Sequence, residues 1–159
     1  MGLDMFLRKS QYVSGYSFSG DDKEKYDAII AIMGWENDVS EDTPSMDVSA
    51  TVAYWRKANA IHSWFVRECA GGVDECQPIP VSREKLNELL TIAKKAASDY
   101  DEGDKVESAS VLAPTSGFFF GSTEVDEWFR SDLKLTIDQI EKALANAGPY
   151  ADFIYQASW

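Results

Sequence analysis

The spacing between apolar residues changes along this chain, and that change constrains the fold more than any other feature of the sequence. Near the start, Leu3, Met5 and Leu7 occupy every second position, which is the period of a half-buried strand. After Ser82, in REKLNELLTIAKKAA, apolar residues recur every three or four positions, which is the period of an amphipathic helix. The chain therefore contains both strands and helices, and we expect an α+β fold.

The same patterns give the predicted order of elements. Strand-like patterns cover residues 2–8, 48–54, 77–81, 116–120 and 153–159. Helical patterns cover residues 22–33, 56–69, 83–97 and 124–146. Pro78 and Pro80 limit the third strand to a sheet edge, because proline cannot donate a ladder hydrogen bond. We predict a small mixed or antiparallel sheet packed against about four helices, all in one domain of residues 1–159.

Capping residues mark the starts of three of these helices. Asp21 with Glu24 precedes the first helix, and Ser82 precedes the third. Thr123 with Asp126 makes a capping box before the fourth helix. Side chains of these types accept hydrogen bonds from the free backbone N–H groups of a first turn. We therefore expect the three helices to begin directly after Asp21, Ser82 and Thr123.

Length and composition favour one globular domain. A chain of 159 residues, 45% of them hydrophobic, can bury a substantial core. Its two cysteines, Cys69 and Cys76, are too few for a disulfide framework, and no secretory leader pattern opens the sequence. No apolar run approaches the ~20 residues that span a bilayer. We therefore expect a soluble protein of the cytoplasm.

Acidic residues outnumber basic ones by 27 to 15, which gives a net charge of −12. Solubility alone would explain such a charge, but it also repels nucleic acid and attracts basic partners. Much of it lies in segments 36–47 and 99–108, which hold few apolar residues and which we expect to be exposed loops. The predicted acidic surface consists of Glu36, Asp38, Glu41, Asp42, Asp99, Asp101, Glu102 and Asp104.

Aromatic residues are concentrated in segments 54–65 and 115–129 and in the ending YQASW. Their density exceeds what one face of a small domain buries, so we expect some rings to line a groove. Helical spacing places Trp55, Asn59 and His62 on one stripe. In the alternative, Asn59 and His62 hydrogen-bond to neighbouring loops and stabilise the fold. The predicted binding surface consists of Trp55, Arg56, Asn59, His62, Phe118, Phe120, Ser122 and Thr123.

Two further classes of function stay open on these residues. In a small-ligand site, the rings would stack on a base while Arg56 or Lys57 meets a phosphate. In a small enzyme, His62 would be the acid or base, because it is the one histidine of the chain. No nucleophile is identifiable beside it, so the enzyme is the less favoured class.

Metal and phosphate motifs are weak in this sequence. His62, Cys69 and Cys76 are seven residues apart and lack the short ligand pairs of zinc sites. The segment 99–108 lacks the glycine and glutamate positions of an EF-hand. Residues 121–123 resemble an anion-binding helix start. However, the acidic residues from Glu124 onward already place negative charge at the positive end of the helix dipole. We predict no metal and no cofactor.

The segments MGLDMFL, YWRKANAIHSWFV, SGFFFGSTEVDEWF and YQASW together resemble a family of small uncharacterised bacteriophage and prophage proteins. The resemblance implies a setting in the cytoplasm of a bacterial host. Small phage proteins are often inhibitors of host machinery, including anti-restriction and anti-CRISPR proteins, and many are acidic. We therefore expect a non-catalytic binding protein, acting as a DNA mimic, that blocks a basic host-defence or nucleic-acid-binding component and does not bind nucleic acid directly.

Overall fold

The computed structural model describes residues 2–103, Leu112, Pro114, Ser116 and 122–159. Strands and helices follow one another along these residues. The elements are β1 (Asp4–Ser14), α1 (Asp21–Met33), β2 (Ser45–Arg56), α2 (Asn59–Cys69), β3 (Ile79–Val81), α3 (Arg83–Asp101), α4 (Glu127–Ala145) and β4 (Asp152–Ser158). The predicted α+β class is confirmed. The predicted strand at 116–120 lies outside the described residues, apart from Ser116.

The sheet has the order β2-β1-β4-β3, and every neighbouring pair is antiparallel. The antiparallel alternative was therefore the right one. β1 pairs with β2 over its whole length, from Asp4 opposite Arg56 to Ser14 opposite Ser45. Its other side pairs with β4 only as far as Ser10. The second half of β1 and the first half of β2 thus form a two-stranded ribbon that extends beyond the sheet.

The core lies on one face of the sheet, under α2, α3 and α4. The alternation seen in the sequence is confirmed, because Leu3, Met5 and Leu7 are all fully buried. The rings of Phe65 and Tyr155 stack at the centre, with centroids 4.0 Å apart. The helices add to the same core Trp64, Leu86, Leu89, Ala93, Leu133 and Ile140.

A second, smaller cluster joins α1 to the ribbon. It consists of Val13 from β1 and Tyr26 and Ile30 from α1, with Met46 packed against them. Met46 pairs with Val13, and the ladder continues to Ser45. The first acidic loop therefore ends before Ser45 rather than at residue 47 as predicted, because pairing with β1 satisfies the backbone and partly buries Met46.

The second acidic loop starts later than predicted. Asp99 and Asp101 belong to the last turn of α3, which runs to Asp101. There Lys95 pairs with Asp99, and Arg130 of α4 pairs with Asp101, so the helix continues. The predicted loop residues 104–108, Asp104 among them, lie outside the described residues.

The helix starts follow the predicted caps in one case of three. Ser82 caps α3, because its hydroxyl accepts from the N–H of Lys85. The Thr123 cap is wrong: the Asp126 carboxylate accepts from the N–H groups of Trp128 and Phe129, at 3.0 Å each, so α4 begins at Glu127 and not at 124. The Asp21 cap is wrong as well, since Gly20 holds that position with a φ of 56°.

The helix that the sequence predicts over 56–69 begins at Asn59, three residues later than predicted. Trp55 and Arg56 extend β2, with Trp55 opposite Met5 in the ladder. Lys57 then turns the chain with a positive φ of 59°, and its N–H donates to the carbonyl of Leu3. Trp55 therefore does not share a helical stripe with Asn59, and it is a core residue of the sheet.

Candidate functional site

A small acidic cleft lies where α2 and α4 begin. Its enclosed volume is about 40 Å³, which holds only a few water molecules. The chemically active residues around it are Lys57, Asn59, Ser122, Glu124, Asp126, Trp128 and Asp132. The cleft thus combines three carboxyl groups with one amine, one amide and one indole.

Asn59 forms the floor of this cleft at the first turn of α2. The residue is only 4% exposed, so its side-chain amide needs a partner inside the protein. Nδ2 donates to the carbonyl oxygen of Ser122 at 2.6 Å. Two predicted site residues that are 63 positions apart in the chain are therefore brought together here. This bond ties the start of α2 to the segment that leads into α4.

Asp132 carries the most perturbed carboxyl group of the cleft. It lies on the inner side of α4, between the buried residues Phe129 and Thr136. Burial raises the pKa of Asp132 from 3.8 to about 6, and the negative charge of Asp126 adds to the effect. A carboxylate in such a place gains from a nearby cation, because the cation replaces part of the lost hydration.

Trp128 provides an open aromatic surface at the rim. Its side chain is 78% exposed, whereas Phe129 beside it is buried. An indole next to carboxyl groups suits a cationic side chain, since the ring face attracts positive charge and the carboxylates pair with it. The cleft can therefore accept an ammonium or guanidinium group.

Other predicted site residues are not part of the cleft. Trp55 is fully buried, and its Nε1 donates to Oγ1 of Thr136 at 2.9 Å. Arg56 and Thr123 are exposed near the ends of their segments. Phe118 and Phe120 lie outside the described residues. The predicted binding surface is therefore divided between the core and the cleft, and Trp55 is not available to a partner.

His62 is buried in a chain of hydrogen bonds instead of facing solvent. It is 2% exposed. Nδ1 lies 2.8 Å from the hydroxyl of Tyr155, and Nε2 lies 3.0 Å from Oδ2 of Asp74. Burial, followed by the charge of Asp74, raises the pKa of Tyr155 well above its usual range, so the phenol keeps its proton. With a neutral imidazole, Tyr155 donates to Nδ1 and Nε2–H donates to Asp74.

The predicted acidic surface is reduced to one loop. Glu36, Asp38, Glu41 and Asp42 are exposed between α1 and β2, and none of them forms an ion pair with another described residue. Asp99 and Asp101 are ion-paired on α3, as above, and Glu102 accepts a hydrogen bond from Ser98. Among the predicted acidic residues that the structure describes, the carboxylates without an ion pair or a side-chain hydrogen bond are therefore the four in the loop before β2.

Of the chemically active cleft residues, five were not part of the predicted binding surface: Lys57, Glu124, Asp126, Trp128 and Asp132. One signal was present. Asp132 lies three positions after Phe129 and four before Thr136, and this is the inner stripe of α4. A carboxylate on an otherwise buried stripe marks a candidate functional position. The exposure of Trp128 had no such signal, because an indole is equally common in a core.

The described part of the chain contains neither a cluster of metal-ligating side chains nor a membrane-spanning helix. No group of three His, Cys, Asp or Glu side chains in residues 2–103 and 122–159 could hold a metal ion. Cys69 and Cys76 are free thiols, and burial raises the pKa of Cys69 to about 11. Each helix among the described residues is too short or too polar to span a bilayer.

Fold and cleft together define an antiparallel α+β protein with an acidic, aromatic-rimmed recess at two helix starts. Comparison with protein-family models, with curated proteins and with solved structures found no match to this chain. The function is therefore argued from the site itself.

Proposed function

We propose that this protein works by binding, and that it inhibits or sequesters a basic host protein by receiving one of its lysine or arginine side chains in the acidic cleft. The observation that carries this proposal is the half-buried carboxyl group of Asp132, which lines the cleft together with Asp126 and the exposed Trp128. A cation that enters the cleft would pair with the Asp132 carboxylate and so replace part of the hydration that burial removes.

The size of the cleft favours a side chain over a free nucleotide. Small-molecule sites usually enclose roughly 300–1,000 Å³, whereas this cleft encloses about 40 Å³. The head group of one lysine or arginine needs little more than the space of a few waters. The position of His62 argues against the enzyme alternative, because both its ring nitrogens are bonded inside the protein.

Long-range charge would bring the partner to the cleft. A net charge of −12 accelerates encounter with a basic protein, and the loop with Glu36, Asp38, Glu41 and Asp42 presents unpaired carboxylates. A surface of this kind competes with nucleic acid for a basic groove. With the resemblance to phage proteins, this points to a nucleic-acid-binding or host-defence component in the cytoplasm of the host.

Removing the charge of Asp132 tests the cleft directly. In Asp132→Asn we expect the affinity for a tetralysine probe to fall at least about tenfold, measured by NMR titration. The control is Asp138→Asn, which removes the same charge from an exposed position of the same helix, and it should change the affinity less than about threefold. Equal losses in both variants would show that only overall charge matters and would contradict the cleft proposal.

The pH dependence of Asp132 gives a second readout on the same variant. The folded state disfavours the ionised carboxyl group, so the cost to stability develops as the pH rises from 3.8 to about 6. Asp132→Asn should therefore be more stable than wild type at pH 7, by about 1 kcal/mol once partial solvation is allowed for, and equally stable near pH 3. Probe binding to wild type should strengthen as the pH rises through about 6. A variant that is less stable at pH 7 would contradict this assignment.

Neutralising the loop separates encounter from anchoring. A variant with Glu36→Gln, Asp38→Asn, Glu41→Gln and Asp42→Asn should associate more slowly with the partner and with less dependence on salt. Its dissociation rate and its stability should barely change, because these side chains are exposed. Stopped-flow or surface-based kinetics at several salt concentrations measure this effect. Unchanged association at every salt concentration would remove the loop from the proposal.

A pulldown from host lysate identifies the partner. Wild type should retain a basic protein at low salt and release it at high salt, and Asp132→Asn should retain much less of the same protein. If the retained protein is acidic, or if it binds both forms equally, the proposed mode of recognition is wrong.

A further inference from the structure

The outer edge of β2 is open along half of its length. β2 is the last strand on its side of the sheet, and residues 47–51 are all exposed. No described strand pairs with this side of β2. The opposite edge of the sheet, β3, has only three residues and contains Pro80, which cannot donate to an added strand. β2 is therefore the edge at which strand addition is possible among the described residues.

The position of Gln139 shows which backbone groups point outward. Its side-chain amide bonds both backbone groups of Tyr54: Tyr54 N–H donates to Oε1 at 2.7 Å, and Nε2 donates to the Tyr54 carbonyl at 3.0 Å. The backbone N–H and C=O groups of Tyr54 therefore point away from β1. At this position Gln139 of α4 covers the edge and bonds both groups, as a neighbouring strand would.

The ladder register extends this conclusion to the open half. Tyr54 lies opposite Phe6. Since alternate pairs in an antiparallel ladder are of the same type, the partners of the next even residues of β1 point outward too. Beyond the irregularity after Leu7, these partners are Thr51, Ser49 and Asp47. Thr51, Ser49 and Asp47 thus direct their N–H and C=O groups away from β1, to the side on which no described strand pairs with β2.

The chemistry of this edge is unusual for a protein with a net charge of −12. From Val48 to Ala53 the sequence is VSATVA, with no charged residue. Natural sheets normally protect such edges with charges, prolines or bulges. On one face, the groove between the ribbon and α1 has the apolar residues Val48, Ala50 and Ile29 and is bordered by Lys9 and Lys25. Between residues 47 and 53 of this edge, Asp47 is therefore the single charged residue.

We propose that two copies of this chain join through this edge, β2 against β2, antiparallel and centred on Ser49. In that arrangement the two Ser49 residues face each other, and Asp47 of each copy lies opposite Thr51 of the other. The single charge of the edge thus meets an uncharged residue, and Arg8 lies in the same cross-strand row because it pairs with Thr51. No like charges are directly opposed. The contact produces a continuous eight-stranded sheet with twofold symmetry.

Charge reversal at the symmetry axis tests the contact and its register together. We expect wild type to dimerise as its concentration rises, followed by sedimentation equilibrium. Ser49→Lys and Ser49→Glu each place two like charges opposite one another and should raise the dimer dissociation constant at least about tenfold. An equimolar mixture of the two variants should recover the dimer, because the opposed charges are then unlike. Ser131→Lys, at an exposed position of α4, is the control for a simple gain of charge.

Hydrogen exchange gives an independent measurement. The amides of Asp47, Ser49 and Thr51 should exchange more slowly at high protein concentration than at low concentration, while the amide of Tyr54, already bonded to Gln139, should not change. A chain that stays monomeric throughout overturns the proposal and leaves the edge to a strand from another protein. A dimer that forms equally well in Ser49→Lys, or a mixture that does not recover, overturns it too.

Discussion

Trp55→Ala is expected to lower the free energy of unfolding by about 3–5 kcal/mol, the usual cost of removing a large aromatic residue from a core. The indole is fully buried, it packs against the ring of Phe65 at a centroid distance of 6.0 Å, and its N–H donates to Thr136. The substitution removes that packing and leaves a cavity between β2 and α4. Urea denaturation followed by far-ultraviolet circular dichroism measures the change.

Trp128→Ala is the matched control, because it makes the same substitution at an exposed indole. Its free energy of unfolding should change by less than about 0.5 kcal/mol, while the binding of tetralysine should weaken. The pair of variants thus separates a tryptophan of the core from a tryptophan of the cleft. If Trp55→Ala were no more destabilising than Trp128→Ala, the placement of Trp55 in the core would be wrong.

His62→Ala is expected to cost about 2–4 kcal/mol of stability, for a different reason. The imidazole is the hydrogen-bond partner of both Tyr155 and Asp74. Its removal leaves the buried hydroxyl of Tyr155 without that partner, and such groups are expensive to bury unpaired. It also opens a cavity next to the fully buried ring of Tyr155. Thermal and denaturant unfolding of the purified variant give the value.

Tyr155→Phe isolates one bond of this chain. It removes the hydroxyl but keeps the ring stacked on Phe65, so the expected cost is about 1 kcal/mol. The double variant with His62→Ala should lose less stability than the two single variants together. His62→Ala alone leaves the Tyr155 hydroxyl buried and unpaired, and the double variant no longer contains that hydroxyl. Strictly additive losses would contradict the hydrogen bond between His62 and Tyr155.

Much of the fold could be predicted because its signals are local. The alternation of Leu3, Met5 and Leu7 and the cap at Ser82 depend on neighbours within a few residues, and both are confirmed. The start of α2 could not be predicted in this way. The segment WRKANA has helical composition, but Trp55 is held in the strand by its pairing with Met5, about fifty residues earlier in the chain.

The candidate site was predictable only in part for the same reason. Asn59 was singled out as a polar residue among aromatic ones, but its bond to the Ser122 carbonyl spans a separation that no local pattern encodes. His62 was noticed, whereas Asp74 and Tyr155 were not, because 12 and 93 residues separate them from it. The extent of the acidic loops was wrong where tertiary partners, Val13 for Met46 and Arg130 for Asp101, extended a strand or a helix.

The position of β4 in the middle of the sheet also bears on how the protein is made. β1 gains β4 as its second neighbour only after β4 has been synthesised. The bond between Arg8 and Gln156, for example, joins residues that are 148 positions apart. During translation, this edge of β1 must therefore stay unpaired until nearly all of the described chain has left the ribosome. Contacts of such long range slow folding, and an unpaired strand edge is prone to aggregation in the meantime. Nascent chains of this protein should accordingly depend on chaperones until β4 emerges.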